Sequence, residues 1–265
     1  MITSAPIGVF DSGIGGLSVW NELVREIPGE SVIYVADSAN APYGTKSRSF
    51  ITARSSAISN FLIDHGCKII VVACNTATGA AITALRKEFD IPFIGVEPAV
   101  KPAALASMTG HIGVLATAQT FKGEHFKRSI KLYSHTVEVH ERAGTGLVEL
   151  IESGRMDSAE TKELLKQYLI PMVEKGIDQL VLGCTHYPFL IPIIREILPA
   201  GINVIDPAPA VARQTKKVLE INGGLNGVSA VSRYQFYTTG SPENLSLILN
   251  QLTSSDHSVT HADIF

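Results

Sequence analysis

The stretch IIVVACNT at residues 69–76 decides the fold, because it is an apolar run that ends in a cysteine and small polar residues. The stretch QLVLGCTH at residues 179–186 repeats this form. Short runs rich in Val, Ile and Leu are typical of buried parallel strands. We therefore expect Cys74 and Cys184 at the carboxyl ends of two strands, which is where α/β proteins bind their ligands.

Two further pairs of segments repeat along the chain. IGVFDS at 7–12 resembles IGVLAT at 112–117, and GVEPA at 95–99 resembles VIDPA at 204–208. Together with the two cysteine segments, they share a nearly constant shift of about 105 to 110 residues. A constant shift indicates an internal duplication, so the chain is expected to contain two similar units of ordinary domain size.

The rest of the sequence alternates short apolar runs with longer amphipathic segments, which indicates parallel sheets covered by helices. We predict the α/β fold class, with two pseudo-symmetric domains, mainly parallel sheets flanked by helices, and an active site in the cleft between the domains. Too little chain follows Asp206 to build a third domain, so the carboxyl-terminal part is expected to complete the first. The predicted first domain is 1–97 plus 207–265, and the second is 98–206.

Local patterns predict the individual elements. Apolar spacing predicts a helix over 48–65, which Gly66 ends, and another over 242–252. Residues 253–265 are expected to form a polar tail. Strands are predicted at 7–11, 32–37, 69–73, 93–96, 112–116, 136–141, 179–183, 203–205 and 234–238.

Charge and composition exclude several classes of function. The 265-residue chain has a net charge of −3 and no basic run that could follow a phosphate backbone, so nucleic acid is not an expected partner. No apolar run approaches the roughly 20 residues of a membrane span, and no signal peptide is recognisable, which predicts a cytoplasmic protein without membrane contact. Three widely spaced cysteines argue against a disulfide framework.

The two strand-end cysteines could be small buried hydrophobes or functional thiols, and the residues after them favour the second interpretation. Each precedes short polar side chains at the expected start of a helix, whose free amides favour a thiolate or a bound carboxylate. A thiol with a pKa of about 8.5 can act as base or acid at neutral pH. One thiolate could remove a proton from carbon while the other thiol protonates the opposite face, which would invert that carbon. Cys67 is expected to be an ordinary buried cysteine.

Two polar residues are candidates for assisting the thiols. Asp11 ends the first strand, and His186 follows Cys184 by two residues. The alternatives are a helix-capping role for Asp11 and an ordinary loop position for His186.

Other kinds of chemistry lack their sequence patterns. The turn GIGG at 13–16 has Ser18 where a dinucleotide fingerprint needs its third glycine, and no phosphate loop is present. The eight histidines and three cysteines show no metal-ligand spacing, and the serines lack a hydrolase elbow. We therefore expect neither a cofactor nor a metal ion in the reaction.

Two further loops could line a pocket. One follows the second predicted strand and could instead be a simple turn, while the other follows the strand at 112–116 and could instead cap a helix through Thr120. The candidate residues of these loops are Pro42, Tyr43, Gly44, Thr117 and Thr120.

Four segments together resemble the glutamate racemase family, and the resemblance covers nearly the whole chain. They are FDSGIGG at 10–16, APYG at 41–44, ACNTAT at 73–78 and LGCTHYP at 182–188. The resemblance implies a cofactor-independent enzyme that interconverts L-glutamate and D-glutamate and supplies D-glutamate for bacterial peptidoglycan. It also implies a homodimer, since many relatives dimerise.

The resemblance implies roles for individual residues. Cys74 matches the cysteine that acts on the D face of the substrate, and Cys184 matches the one that acts on the L face. Asp11 and His186 match the assisting acid and histidine. The substrate-binding pairs that it implies are Asp11-Ser12, Tyr43-Gly44, Asn75-Thr76 and Thr185-His186.

Glu152 is a further candidate for a catalytic role. It matches a glutamate that follows an Ala-Cys-Pro segment in many relatives, although Gly144 and Thr145 stand in place of Cys-Pro here. A racemase of a related amino acid or hydantoin remains an alternative to glutamate racemisation, as does a non-catalytic small-molecule binding protein.

Overall fold

The computed structural model describes residues 4–133, 135–227, 230–253 and 257–265. Two compact units make up the chain: Met1–Val96 with Ala208–Phe265, and Glu97–Pro207. Strands and helices alternate along most of the sequence, and the strand pairings in both units are parallel. The predicted α/β class is confirmed.

The secondary-structure elements are numbered in chain order. The strands are β1 (Ile7–Asp11), β2 (Val32–Ala36), β3 (Ile69–Val72), β4 (Phe93–Gly95), β5 (His111–Ala116), β6 (Glu138–Ala143), β7 (Gln179–Gly183), β8 (Asn203–Ile205), β9 (Tyr234–Thr238) and β10 (Val259–His261). The helices are α1 (Leu17–Glu26), α2 (Arg48–Asp64), α3 (Asn75–Glu88), α4 (Val100–Ala106), α5 (Ala118–Lys122), α6 (Glu124–Tyr133), α7 (Leu147–Glu152), α8 (Ala159–Val173), α9 (Ile191–Ile197), α10 (Ala208–Ile221) and α11 (Pro242–Thr253). Short 3-10 turns lie at Ser38–Asn40, Tyr43–Thr45 and Tyr187–Leu190.

The first unit contains a six-stranded sheet with the order β10-β9-β2-β1-β3-β4. The chain passes from β1 to β2 on one side and then returns to place β3 on the other side of β1. Such a reversal of strand order leaves a crevice at the carboxyl ends of the two strands, and open α/β sheets bind ligands there. Asp11 ends β1, and Cys74 follows β3 by two residues, so both stand at this position.

The second unit repeats this arrangement in a four-stranded sheet with the order β6-β5-β7-β8. Its reversal of strand order falls between β5 and β7. Thr117 follows β5 and Cys184 follows β7. The duplicated sequence therefore gives each unit a thiol at the same topological position.

Buried apolar side chains fix both sheets to their helices. In α2, the Ser47 hydroxyl caps the helix by accepting the Phe50 amide at 3.2 Å, and Ile51, Ile58 and Leu62 are buried in the first unit's core. The predicted helix over 48–65 is therefore confirmed to within a residue. A separate core in the second unit packs α4 and α6 against β5.

Two predicted segments differ from the structure by more than one residue. The strand predicted at 136–141 lies at Glu138–Ala143, because the amides of Thr136 and Val137 still bond to the Tyr133 carbonyl in the turn that ends α6. The prediction of a polar tail over 253–265 is wrong for 257–265, since β10 pairs with β9 and both Ala262 and Ile264 are buried in the core. Its residues 254–256 lie outside the described part of the chain. Within the described part of the chain, no helix combines the length and apolarity that crossing a membrane requires.

Candidate active site

Cys74 lies at the amino terminus of α3 with its thiol buried. Its Sγ accepts the Ala77 amide at 3.5 Å and donates to the Ser12 hydroxyl at 3.8 Å. A backbone amide at a helix start stabilises negative charge on the atom that it faces. Cys74 therefore has one partner that suits a thiolate and another that suits a thiol.

Ser12 connects this thiol to Asp11. The Ser12 hydroxyl lies 3.3 Å from Asp11 Oδ1, which also accepts the Gly13 amide at 2.8 Å. The capping alternative for Asp11 does not hold, because α1 begins at Leu17 with Gly16 as its N-cap residue and no side-chain cap. Asp11, Ser12 and Cys74 thus form a continuous polar chain at the ends of β1 and β3.

Gly16 lets the turn after β1 pack closely. A Cβ at this position would lie 2.7 Å from the Asp11 Cβ and 2.9 Å from the Tyr34 hydroxyl, and Tyr34 in turn donates to the Gly13 carbonyl at 2.7 Å. A residue without a Cβ is therefore needed at position 16 for contacts within the protein.

Asn75 and Thr76 occupy the buried first turn of α3. The Asn75 side-chain amide donates to the Val96 carbonyl at 3.4 Å, whereas its Oδ1 is buried and has no hydrogen-bond partner within the described residues. An unsatisfied buried acceptor costs about 1–3 kcal/mol. A bound group that carries an N–H or O–H would remove this cost.

Tyr43 lies in the 3-10 turn after the cis Ala41–Pro42 peptide. Its hydroxyl donates to Asp37 Oδ2 at 2.6 Å, and burial together with the Asp37 charge raises the Tyr43 pKa far above its usual range. The hydroxyl proton is therefore committed to Asp37. Pro42 and Gly44, on either side, are only partly buried.

Asp37 organises this loop, and its role was not predicted from the sequence. Arg54 donates to both carboxylate oxygens, from Nε at 3.0 Å and from Nη2 at 2.8 Å, while Nη1 donates to the Ile264 carbonyl at 2.6 Å. Asp37 directly follows β2, just as Asp11 and Cys74 lie at the carboxyl ends of β1 and β3. This shared position at a strand end was the sequence signal that could have identified Asp37.

In the second unit, a row of three side chains joins Cys184 to a carboxylate. Cys184 Sγ lies 3.7 Å from His186 Nδ1, and His186 Nε2 lies 2.6 Å from Glu152 Oε1. Burial lowers the pKa of His186, but its hydrogen bonds to Cys184 and Glu152 raise it well above its usual value. The geometry therefore favours an imidazolium between two acidic partners.

The loop before α7 explains how Glu152 reaches His186. Gly146 adopts a left-handed conformation with φ of 86° immediately before α7, and Glu152 is the last residue of that helix. The Tyr187 hydroxyl donates to the Gly144 carbonyl at 3.2 Å, and any Cβ at position 144 would overlap that hydroxyl. The Gly144-Thr145 sequence is thus compatible with a Glu152 that contacts His186.

The remaining candidates are placed as follows. Thr117 caps α5, since its Oγ1 accepts the Thr120 amide at 3.1 Å and contacts Thr120 Oγ1 at 2.9 Å. The capping role thus belongs to Thr117 rather than to Thr120. Thr185 is buried between Cys184 and His186.

Cys67 differs from the other two cysteines. It is buried in the apolar core of the first unit, and burial raises its pKa to about 12. A thiol with that pKa stays protonated at neutral pH, so Cys67 has the properties of a packing residue.

Comparison with known proteins identifies the family. The sequence pattern described as Asp/Glu/Hydantoin racemase matches residues 7–215. The chain belongs to the Asp/Glu/hydantoin racemase family. It is therefore an isomerase. A glutamate racemase from Pseudomonas paraeruginosa is 46% identical to this racemase over 263 residues, which cover 98% of each chain.

Two solved structures resemble this racemase over nearly their full lengths. A glutamate racemase isoform from Bacillus anthracis is 32% identical, with a TM-score of 0.90 over 99% of this chain and 98% of the other. The glutamate racemase from Francisella tularensis in complex with D-glutamate is 31% identical, with a TM-score of 0.86 over 99% of each chain. The two-domain racemase fold is thus shared with both.

Proposed function

We propose that this racemase interconverts L-glutamate and D-glutamate without a cofactor. The observation that carries the proposal is the matched chemistry of two strand ends. Cys74 connects to a carboxylate through Ser12, and Cys184 connects to one through His186. The names of the similar proteins, and the D-glutamate in the Francisella tularensis structure, support glutamate as the substrate.

The proposed mechanism uses the two thiols as paired bases on opposite faces of the α-carbon. When L-glutamate reacts, the Cys184 thiolate takes the α-proton, and the Cys74 thiol donates a proton to the other face to give D-glutamate. Cys184 is then a thiol and Cys74 a thiolate, and proton exchange with solvent restores the starting state. The reverse reaction exchanges the roles of the two sulfurs.

The neighbours of each sulfur suit these roles. A cationic His186 lies 3.7 Å from Cys184 Sγ and is a suitable partner for a thiolate. The Cys74 thiol hydrogen is directed at Ser12, and the Ala77 amide remains bonded to the sulfur after the proton leaves. General acid–base catalysis of this kind contributes about 10²–10⁴-fold to a rate.

The substrate-binding residues are also proposed. Asn75 Oδ1, which has no partner in the described part of the chain, suits the substrate ammonium group. Hydroxyl and amide groups suit the two substrate carboxylates, because neutral donors satisfy them without adding charge. The residues proposed to supply these groups and to line the pocket are Ser12, Pro42, Tyr43, Gly44, Thr76, Thr117, Thr120 and Thr185, with Asp11 and His186 beside them.

Deuterium incorporation tests the mechanism. Purified protein without added cofactor, incubated with L-glutamate in deuterated water, is expected to yield D-glutamate that carries deuterium at the α-carbon. Cys74→Ser and Cys184→Ser are each expected to abolish racemisation, while Cys67→Ser leaves it intact. Near wild-type racemisation by both single variants would contradict the mechanism. Faster turnover of aspartate or a hydantoin would identify a different substrate, and ligand binding without exchange would indicate a binding protein.

We also propose that the enzyme supplies D-glutamate for peptidoglycan in the cytoplasm, as a homodimer. Cells depleted of this protein are expected to lose their shape and lyse unless D-glutamate is provided. Lysis that D-glutamate fails to prevent would contradict this role. Light scattering after gel filtration measures the mass of the assembly, and a mass of one chain would contradict the dimer.

A further inference from the structure

Three potential metal ligands meet at the amino-terminal edge of the second unit's sheet. His111 begins β5, and Glu138 begins β6 as its direct partner in the ladder, while His140 pairs with Gly113. Alternate residues of a strand share a face, and directly paired residues do so as well. The three side chains are therefore on one face of the β5–β6 ladder, at the end opposite to the carboxyl end of β5.

The distances between these groups are close to those around a bound ion. His111 Nδ1 lies 3.1 Å from His140 Nε2 and 3.7 Å from Glu138 Oε2. One ligand atom from each residue lies within 4.8 Å of the others. Two ligands on a tetrahedral ion with bonds of about 2.0–2.1 Å are about 3.3 Å apart. Small side-chain movements would bring all three to that spacing.

We propose that His111, Glu138 and His140 form a binding site for a divalent transition-metal ion such as Zn²⁺. Two imidazoles and a carboxylate are a donor set that Zn²⁺ accepts, with the fourth position open to water. The site lies outside the proposed racemisation chemistry and does not depend on it.

The state of His140 suits this role. Its side chain is only 12% exposed. The rings of His111 and His140 are stacked with centroids 5.3 Å apart, so their facing nitrogens are held in place before an ion arrives.

A bound ion would join β6 to the rest of its sheet. β6 is an edge strand that pairs only with β5 among the described residues, and its burial is incomplete along its length. An ion held by ligands from both strands stabilises the folded state, and the stabilisation grows with the logarithm of the ion's affinity and free concentration. The expected effect is structural, with a rise in the unfolding temperature when the ion is present.

Calorimetric titration with Zn²⁺ tests the site. Cysteine thiols are zinc ligands in general, so the titration uses the full chain with Cys74 and Cys184 both replaced by Ser. One zinc per chain is expected in this background. Loss of an outer-shell partner weakens metal binding by about 10- to 100-fold. Because His111 and His140 are direct ligands, His111→Ala and His140→Ala are each expected to weaken binding by at least that factor. Circular dichroism confirms that each variant is folded.

Matched variants test whether zinc binds at these three residues. Glu138→Gln, at a position 66% exposed, should fold normally and still weaken binding. His261→Ala removes an exposed histidine whose ring contacts the Gly240 carbonyl and Asp263 and none of the three proposed ligands, so zinc binding should not change. An absence of stoichiometric binding, or binding that survives His140→Ala, would overturn the proposal and leave an ordinary N–H···N hydrogen bond between the two rings.

Discussion

Glu152 Oε1 lies 2.6 Å from His186 Nε2, so that a carboxylate, an imidazole and the Cys184 thiol are connected in one row. The row is assembled from two distant parts of the sequence, the end of α7 and the loop after β7. The two hydrogen bonds raise the pKa of His186 despite its burial, so they favour the positively charged form of the ring. The charge on His186 thus depends on Glu152.

The first prediction follows from this dependence. Glu152→Gln keeps the shape of the side chain but removes its charge, so the pKa of His186 should fall and racemisation should slow by about 100-fold, the low end of general acid–base effects. The limb of the pH–rate profile that reports His186 should move to lower pH. Glu149→Gln, on an exposed face of the same helix, is the control. A slowed enzyme with an unmoved pH profile would exclude this role for Glu152.

A second prediction concerns the glycine that accommodates Tyr187. In Gly144→Ala the new methyl group overlaps the Tyr187 hydroxyl, and overpacking of this kind costs about 1–3 kcal/mol in the free energy of unfolding. Urea denaturation measures the loss. Gly227→Ala, where no atom of the described residues other than its chain neighbours lies within 4 Å of the new Cβ, should be close to neutral.

The Tyr187 hydroxyl provides an internal check of that explanation. Adding Tyr187→Phe removes the overlapping oxygen, so the double variant Gly144→Ala/Tyr187→Phe should lose less stability than the two single changes predict together. If the losses of stability in the two single variants simply add in the double variant, overlap with the Tyr187 hydroxyl is not the cause of the loss in Gly144→Ala.

Sequence patterns predicted the parts of the fold and the candidate site that depend on local chemistry. Strands such as β1 and β7 are mostly apolar and buried along their whole length, and their bounds matched the predictions. The contact of Glu152 with His186 could not be derived in the same way. It depends on the left-handed Gly146 and on the packing of Tyr187, and neither has a signal in the local sequence.

A third prediction concerns the pH dependence of stability around Asp37. Burial raises the pKa of Asp37, but the hydrogen bonds from Arg54, Tyr43 and Asn40 together hold it below its usual value. Because the folded-state pKa is the lower one, the ionised carboxylate stabilises the fold above the unfolded-state pKa of about 3.9. This contribution is lost as the pH falls through the folded-state pKa.

Asp37→Asn tests this sign. Breaking a buried pair costs about 3–5 kcal/mol, and Arg54 retains some exposure, so a loss of about 3 kcal/mol in unfolding free energy is expected at neutral pH. The difference between wild type and variant should shrink as the pH falls below about 4. A difference that stays constant across the acidic range would show that the charge of Asp37 does not contribute.

The carboxyl-terminal residues show why short elements escape prediction. β10 has only three residues, and only Ala262 and Ile264 beyond it alternate inward with exposed neighbours. A segment with two apolar residues among polar ones has the same composition as a solvent-exposed tail. Their burial depends on the pairing of β10 with β9. Because β9 lies about 20 residues earlier in the chain, a short window of sequence around β10 does not include it.

The fourth prediction measures what this segment contributes. Ile264 packs in the core cluster that also holds Tyr43 and Cys74, and its carbonyl accepts a hydrogen bond from Arg54 at 2.6 Å. Ile264→Ala should therefore cost about 2–5 kcal/mol, as for other large-to-small changes in a core. Phe265→Ala, at a side chain 99% exposed, should be neutral. Deletion of 259–265 removes the strand pairing and the carbonyl as well, so its thermal unfolding should begin at a lower temperature than that of Ile264→Ala. Equal unfolding temperatures for the deletion and the wild type would mean that the segment does not stabilise the first unit.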